Sequence, residues 1–332
     1  MTTMLYWQAL NRALDEAMAE DPNVLLLGED VGLFGGTYRV SEGLLAKYGE
    51  WRVRDTPISE NSFTGLGVGA AMLGLRPVVE IMTINFALLA LDALINMAAK
   101  VPFMSGGQFP MGLTVRMPGG VARQLGAQHS QRLEHTLMNC PGLRIVVPSM
   151  PQDAYWQLRQ AIRSDDPIIV LEHELLYFRK AEVDSMGSPL PIHAATVRRS
   201  GRDLTCISYS RMVEVALAAA EELAQEGIEM EVVDLRSLSP IDWEPCVQSI
   251  AKTHNALILE EDCRFSGAGA EIVATLQERC FYFLDRPIQR LAGLDLPTPF
   301  NAELEANSIP STEELIVAAR TLLGNTREGK SA

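Results

Sequence analysis

Cysteine is scarce. Five stand far apart in 332 residues (Cys140, Cys206, Cys246, Cys263 and Cys280), and no two form a CxxC pair. That spacing excludes a disulfide framework and a cysteine zinc site, and it predicts free thiols in a reducing compartment. Basic charge is also in deficit. Lys and Arg total 28 against 42 Asp and Glu, a net charge of −14, so a general nucleic-acid binder with a basic face is not expected. No apolar run reaches the ~18 to 20 residues that span a bilayer. The opening residues lack a basic stretch and a continuous apolar core, and Asp15 and Glu16 interrupt them early, so no secretory signal is read there. Together these predict a cytoplasmic protein with no membrane span. Low-complexity tracts and solenoid-period repeats are missing too, which leaves an ordinary globular chain.

What is present alternates. Leu5, Ala9, Leu10, Ala13, Leu14, Ala17 and Met18 follow helical spacing and predict an amphipathic first helix. Apolar strand runs follow at 24–28, 52–58, 77–82, 113–117, 143–149 and 167–172, with helices predicted over 85–100 and 152–163. Strands separated by helices indicate βαβ units and a mostly parallel sheet. The pattern lapses between Phe178 and Asp203, read as an extended connector, and a second alternation follows to a closing helix with Ser311, Glu313 and Glu314 at its start. The expected fold is α/β, with two domains, each a mostly parallel sheet flanked by helices: 1–180, a connector over 181–203, and 204–332.

The stretch DTPISENSFTG, residues 55–65, sets one carboxylate, Glu60, at the head of a segment rich in Gly and Ala. Position alone allows Glu60 to be a helix-dipole partner worth ~0.3 to 1 kcal/mol and nothing more. Ser59 or Asn61 could cap the helix that follows. Gly65, Gly67 and Ala70 satisfy a G-x-G-x-x-A pattern, but residues 59–64 separate it from the strand, so a dinucleotide fingerprint is not expected and the glycines are placed inside a helix.

The segment DTPISENSFTGLGVGAAMLGLRPVVE closely resembles the cofactor-facing segment of beta subunits of 2-oxo acid dehydrogenases, the thiamine-diphosphate-dependent, decarboxylating component of those complexes. Further blocks match in order, among them LLLGEDVGLFGGTYRVSEGLLAKYG, MSGGQFPMGLTVRMPGG, GAQHSQRLEH, CPGLRIVVPS and DLRSLSPID. The resemblance runs from about Leu5 to Leu323. GEDVGLFGGTYRV, ENSFTG and EHELLY look most like the pyruvate type of cyanobacteria and plastids.

The resemblance implies a pyrimidine-binding domain followed by a transketolase C-terminal-like domain. It makes Glu60 the acid that hydrogen-bonds the cofactor's aminopyrimidine and stabilises its imino form, through which the cofactor activates its own thiazolium carbon. It places His129 in the active-site channel, where it can protonate the thiolate released from a lipoyl dithiolane; a structural loop histidine is the alternative. Phe86, Ile58 and Met82 are implied ring contacts, Tyr38 a lesser one, and His135 structural. A structural K⁺ is implied at Leu113, Ala161, Ile162 and Asp166, with Ser164 a doubtful ligand. Arg211, Glu260, Glu261 and Asp262 show no catalytic pattern, and the acids could be surface charge. No GDG motif for Mg²⁺ and diphosphate occurs in the chain. An alpha subunit is therefore expected to bring both, in an assembly of two alpha and two beta chains that docks on a dihydrolipoyl acyltransferase core. The expected reaction is oxidative decarboxylation of pyruvate with acyl transfer to lipoyl groups. The alternatives are a branched-chain 2-oxo acid or acetoin dehydrogenase beta subunit, and a non-catalytic assembly scaffold.

Overall fold

A computed structural model describes residues 1–324. The first helix, Tyr6–Glu20, buries Tyr6, Ala9, Leu10, Ala13, Leu14, Ala17 and Met18, the apolar stripe of the sequence. Fourteen strands run through the described residues in chain order: β1 Thr2–Leu5, β2 Val24–Gly28, β3 Val53–Asp55, β4 Arg76–Glu80, β5 Thr114–Gly119, β6 Arg144–Val146, β7 Ile168–His173, β8 Lys180–Val183, β9 Thr196–Arg199, β10 Leu204–Ser208, β11 Met230–Asp234, β12 Ser237–Ser239, β13 Ala256–Cys263 and β14 Gln289–Gly293.

The first sheet has the order β12-β6-β7-β5-β4-β2-β3 and the second β14-β13-β10-β11-β9. Strands β2 to β7 are all parallel in the first sheet, so their carboxyl ends share one edge. β9 is the antiparallel edge of the second sheet. Both faces of each sheet are covered by helices, which is why the strands read as continuous apolar runs.

Two features depart from the expectation. The stretch 181–203 is not bare connector: β8 pairs antiparallel with β1, and β9 joins the second sheet. β12, which lies beyond residue 204, pairs antiparallel with β6 and becomes an edge of the first sheet. One apolar core follows from this, running from Leu113 and Ile145 through Leu238 to Cys246 and Ile258.

The expected helix over 85–100 is broken into a 3₁₀ turn, Ile84–Ala90, and a π-type segment, Asp92–Ala98, closed by a wide Ala99 N–H to Leu94 carbonyl bond of 3.0 Å. Such wide turns recur near functional sites. No single helix among the described residues is long and apolar enough to cross a membrane.

Candidate active site

The chain leaves β2 for β3 on one side and returns to β4 on the other. That reversal opens a crevice at the carboxyl ends of β2 and β4, where ligands of open α/β sheets bind. Three loops meet there. The loop after β2 starts with Glu29 and is pinned at Gly32, whose N–H donates to Asp55 Oδ1 at 2.6 Å. The loop after β3 delivers Glu60 as the first residue of the helix Glu60–Met72, and the loop after β4 delivers Met82 and Phe86. Gly65, Gly67 and Gly69 lie inside that helix, as the sequence pattern predicts. At Gly67 a Cβ would stand 2.6 Å from Val79 Cγ2, so only glycine lets the helix lie this close to β4.

Glu60 is 4% exposed, yet its carboxylate makes no hydrogen bond or ion pair among the described residues. The expected cap is not made: Ser59 occupies the N-cap position, but its hydroxyl donates to the Pro57 carbonyl at 3.2 Å. Beside Glu60 stands Glu29, an acid that sequence reasoning missed. Burial raises its pKa, the charges of Glu60 and Asp30 add to the rise, and the Ser59 N–H opposes it. One Glu29 oxygen is buried with no hydrogen-bond partner among the described residues. Two carboxyls side by side in a crevice, one inclined to keep its proton, form an arrangement suited to holding a polar ring. The only signal for Glu29 in the sequence is an acid immediately after a strand.

Phe86 and Met82 are half-buried in the crevice wall, whereas Ile58 is 83% exposed at its rim. The Phe86 ring meets His129 edge-on, centroids 5.5 Å apart, so two predicted site residues are brought together. Tyr38 stacks on Tyr177 at 4.5 Å beside Glu174, a buried acid within electrostatic reach of His129 and Arg123.

His129 rides on a loop that the second domain grips. Glu261 accepts the Val121 N–H, Glu305 accepts the Gln124 N–H at 2.8 Å, and Thr298 Oγ1 donates to the Ser130 carbonyl at 3.0 Å. The loop starts at Gly120, where φ is +96° and a Cβ would lie 2.1 Å from His173 Nε2. Glu260, Glu261 and Asp262 are therefore not surface charge. They lie buried at the end of β13, inside the second sheet and against the first domain. Burial alone would raise Glu261, but His173, Arg211 and the Val121 N–H hold it down to about 2. Glu134 is pushed up to about 8, first by burial and then by Asp262. His135 bonds Asp262 at 2.7 Å, a structural contact that raises its pKa.

The residues expected to hold K⁺ are engaged otherwise. The Ile162 and Ser164 carbonyls accept from Arg76 Nη1 at 3.2 and 2.9 Å. The Leu113 carbonyl accepts the Ile168 N–H at 2.9 Å, and Ala161 accepts the Ser164 N–H at 3.0 Å. Asp166 pairs with Arg144 at 2.5 Å. Arg76 reaches two of these carbonyls, those of Ile162 and Ser164, and each carbonyl oxygen keeps a second lone pair.

The matches to known proteins agree with this geometry. The transketolase pyrimidine-binding domain profile matches residues 2–180, and the transketolase C-terminal domain profile matches 193–315. A solved structure described as a split-gene transketolase, an inactive beta4 tetramer, superposes with a TM-score of 0.78 at 22% identity, covering 98% of this chain and 99% of that one. Fold and site thus define a transketolase-like α/β protein. A pyruvate dehydrogenase E1 component subunit beta from Gracilaria tenuistipitata var. liui is 45% identical over 323 residues, covering 97% of this chain and all of that one. The mitochondrial subunit beta-2 of Oryza sativa subsp. japonica is 46% identical, covering 94% of this chain and 84% of that one. The chain belongs to the family of pyruvate dehydrogenase E1 component beta subunits.

Proposed function

We propose that this chain provides the pyrimidine-binding half of a pyruvate dehydrogenase active site, working in the oxidative decarboxylation of pyruvate and the transfer of its acyl group to a lipoyl arm. The observation that carries this is the acid pair at the topological switch point: Glu60, 4% exposed and with no side-chain hydrogen bond or ion pair among the described residues, beside Glu29, one oxygen of which is buried without a partner. An acid oxygen buried without a partner, as Glu29 Oε1 is, costs stability unless a ligand completes it.

The donor set fits thiamine diphosphate, which when bound supplies the carbon nucleophile and electron sink that decarboxylation of a 2-oxo acid needs. Glu60 would accept a hydrogen bond from the aminopyrimidine ring. Met82 and Phe86 would supply apolar walls, and Ile58 a contact at the rim. His129 would hold the proton that a departing lipoyl thiolate takes up.

Mg²⁺ and the diphosphate are assigned to an alpha subunit, because this chain carries no GDG motif. Its docking is supported by exposed apolar side chains around the crevice, Leu33, Phe34 and Ile58, and along the helix that Glu60 heads, Leu66. At Gly65 and Gly69 a Cβ would meet nothing within 4 Å, so those faces of the helix are free for a neighbour. Exposed Phe265, Tyr282 and Phe300 in the second domain, with the net charge of −14, suit contact with a second beta chain and a basic segment of the acyltransferase core. The working unit is then two alpha and two beta chains. The unpaired cysteines suit a reducing compartment.

Glu60→Gln in the reconstituted alpha–beta assembly tests the reading. Turnover of pyruvate should fall by about 10² to 10⁴, the scale of a lost acid–base contact, with assembly unchanged. Full turnover in the variant would leave a scaffold, and preference for 3-methyl-2-oxobutanoate over pyruvate would reassign the substrate.

A further inference from the structure

We propose that Asn85 is the positioning residue for His129, acting through the backbone N–H of Gln131. This rests on the reading of His129 as the proton donor in acyl transfer.

The His129 loop cannot hold its own path. No helix or strand lies between Gly119 and Glu134. Its internal bonds are long turns, Leu125 N–H to the Ala122 carbonyl at 3.4 Å and His129 N–H to the Gly126 carbonyl at 3.2 Å. Arg123 and Gln124 both adopt a left-handed φ of 59°, a conformation that costs side-chain-bearing residues roughly 1 to 2 kcal/mol. External anchors must offset that cost. Glu305 and Thr298 reach in from the second domain. Asn85 reaches in from the crevice wall.

Asn85 is 5% exposed. Its Nδ2 donates to Thr83 Oγ1 at 2.7 Å, which fixes the amide plane. The remaining oxygen accepts the Gln131 N–H at 3.0 Å, two residues past His129. Phe86, next in sequence, packs edge-on against the His129 ring. A single dipeptide thus holds the backbone behind His129 and touches the ring in front. Because it follows β4, it ties the imidazole to the same crevice that receives Glu60. Thr298 and Glu305 fix the loop to the other domain, whereas Asn85 fixes it to the crevice wall.

The test uses the alpha–beta assembly with Asn85→Ala, Asn85→Asp, Thr83→Val, His129→Ala and the Asn85→Ala/His129→Ala double variant. Two rates are read: acetylation of a free lipoyl domain, and decarboxylation of pyruvate with ferricyanide as electron acceptor. Asn85→Ala should slow lipoyl acetylation about 10- to 100-fold, as displacement of a catalytic group by about 1 Å does, with decarboxylation within twofold. Asn85→Asp keeps the acceptor and should restore most of the rate, and Thr83→Val should fall between. The double variant should be no slower than His129→Ala, since a residue acting through another adds nothing once that one is gone. Multiplying effects, or equal loss of both rates, would overturn the proposal in favour of a structural role. Two further outcomes separate the layers. If His129→Ala leaves acetylation intact, the proton-donor reading fails. If Asn85→Ala leaves hydrogen exchange of the 126–133 segment unchanged, the positioning fails whatever His129 does.

Discussion

Beneath the crevice lies a buried ion cluster whose removal has a calculable effect. Arg116 on β5 is 1% exposed. Its Nη1 donates to Glu80 at the end of β4, and its Nε donates to Glu172 Oε1 on β7 at 2.9 Å. Tyr177 also donates to Glu172. Arg116→Met keeps the length and apolar stem but leaves both acids without a counter-ion. Removing one partner of a buried ion pair costs about 3 to 5 kcal/mol, because a charge remains without water or counter-ion. Here two acids are stranded, but Tyr177 stays on Glu172 and Glu80 can take up a proton, so the same range is expected for the whole change. At roughly 2 to 4 °C per kcal/mol for domains of this size, melting should fall by about 6 to 20 °C at pH 8. Burial already raises the Glu80 pKa, with Arg116 opposing it, so the variant raises it further. A folded state that binds more protons than the unfolded chain loses stability as pH rises. The deficit should therefore shrink between pH 8 and pH 5.5. Adding Glu80→Gln should remove much of that pH dependence. Thermal melts followed by far-ultraviolet circular dichroism at both pH values compare the two variants with the parent chain. A drop under about 2 °C at pH 8, or the same drop at pH 5.5, would refute the reasoning.

Two further outcomes follow from single contacts. Gly67→Ala should destabilise the chain by about 1 to 3 kcal/mol through overpacking on Val79, whereas Gly69→Ala should leave it intact or gain up to about 1 kcal/mol of helix propensity and instead weaken alpha-subunit binding; melting and titration with the alpha chain read the two apart. Asp262→Asn should lower the His135 titration midpoint seen by NMR. Since the folded pKa of His135 is raised mainly by its bond to Asp262, that pair's contribution is present at low pH and lost as pH rises through the folded value, so the variant's deficit should be larger at pH 5.5 than at pH 8.

The sequence made regular, self-contained elements legible. The first helix carries its burial pattern in its own spacing, and the closing helix, Thr312–Leu322, announces itself through a capping box between Ser311 and Glu314. The switch-point acid Glu60 was visible because a lone carboxylate heads a run of small residues. What could not be read depends on distant partners. β12 is three residues whose strand character comes only from β6. Glu260, Glu261 and Asp262 look like surface charge until the other domain closes over them. Asn85 and Glu174 are ordinary polar residues in sequence, and only their neighbours at the His129 loop give them a role.

The exchange of β12 has a consequence for how this molecule can be taken apart. Cutting the chain near residue 190 would strip β6 of its outer neighbour and expose a row of unpaired amides and carbonyls, the kind of edge that recruits stray strands. It would also free the histidine loop from three of its tethers at once. An edge strand and the moorings of that loop are what the second half lends to the first.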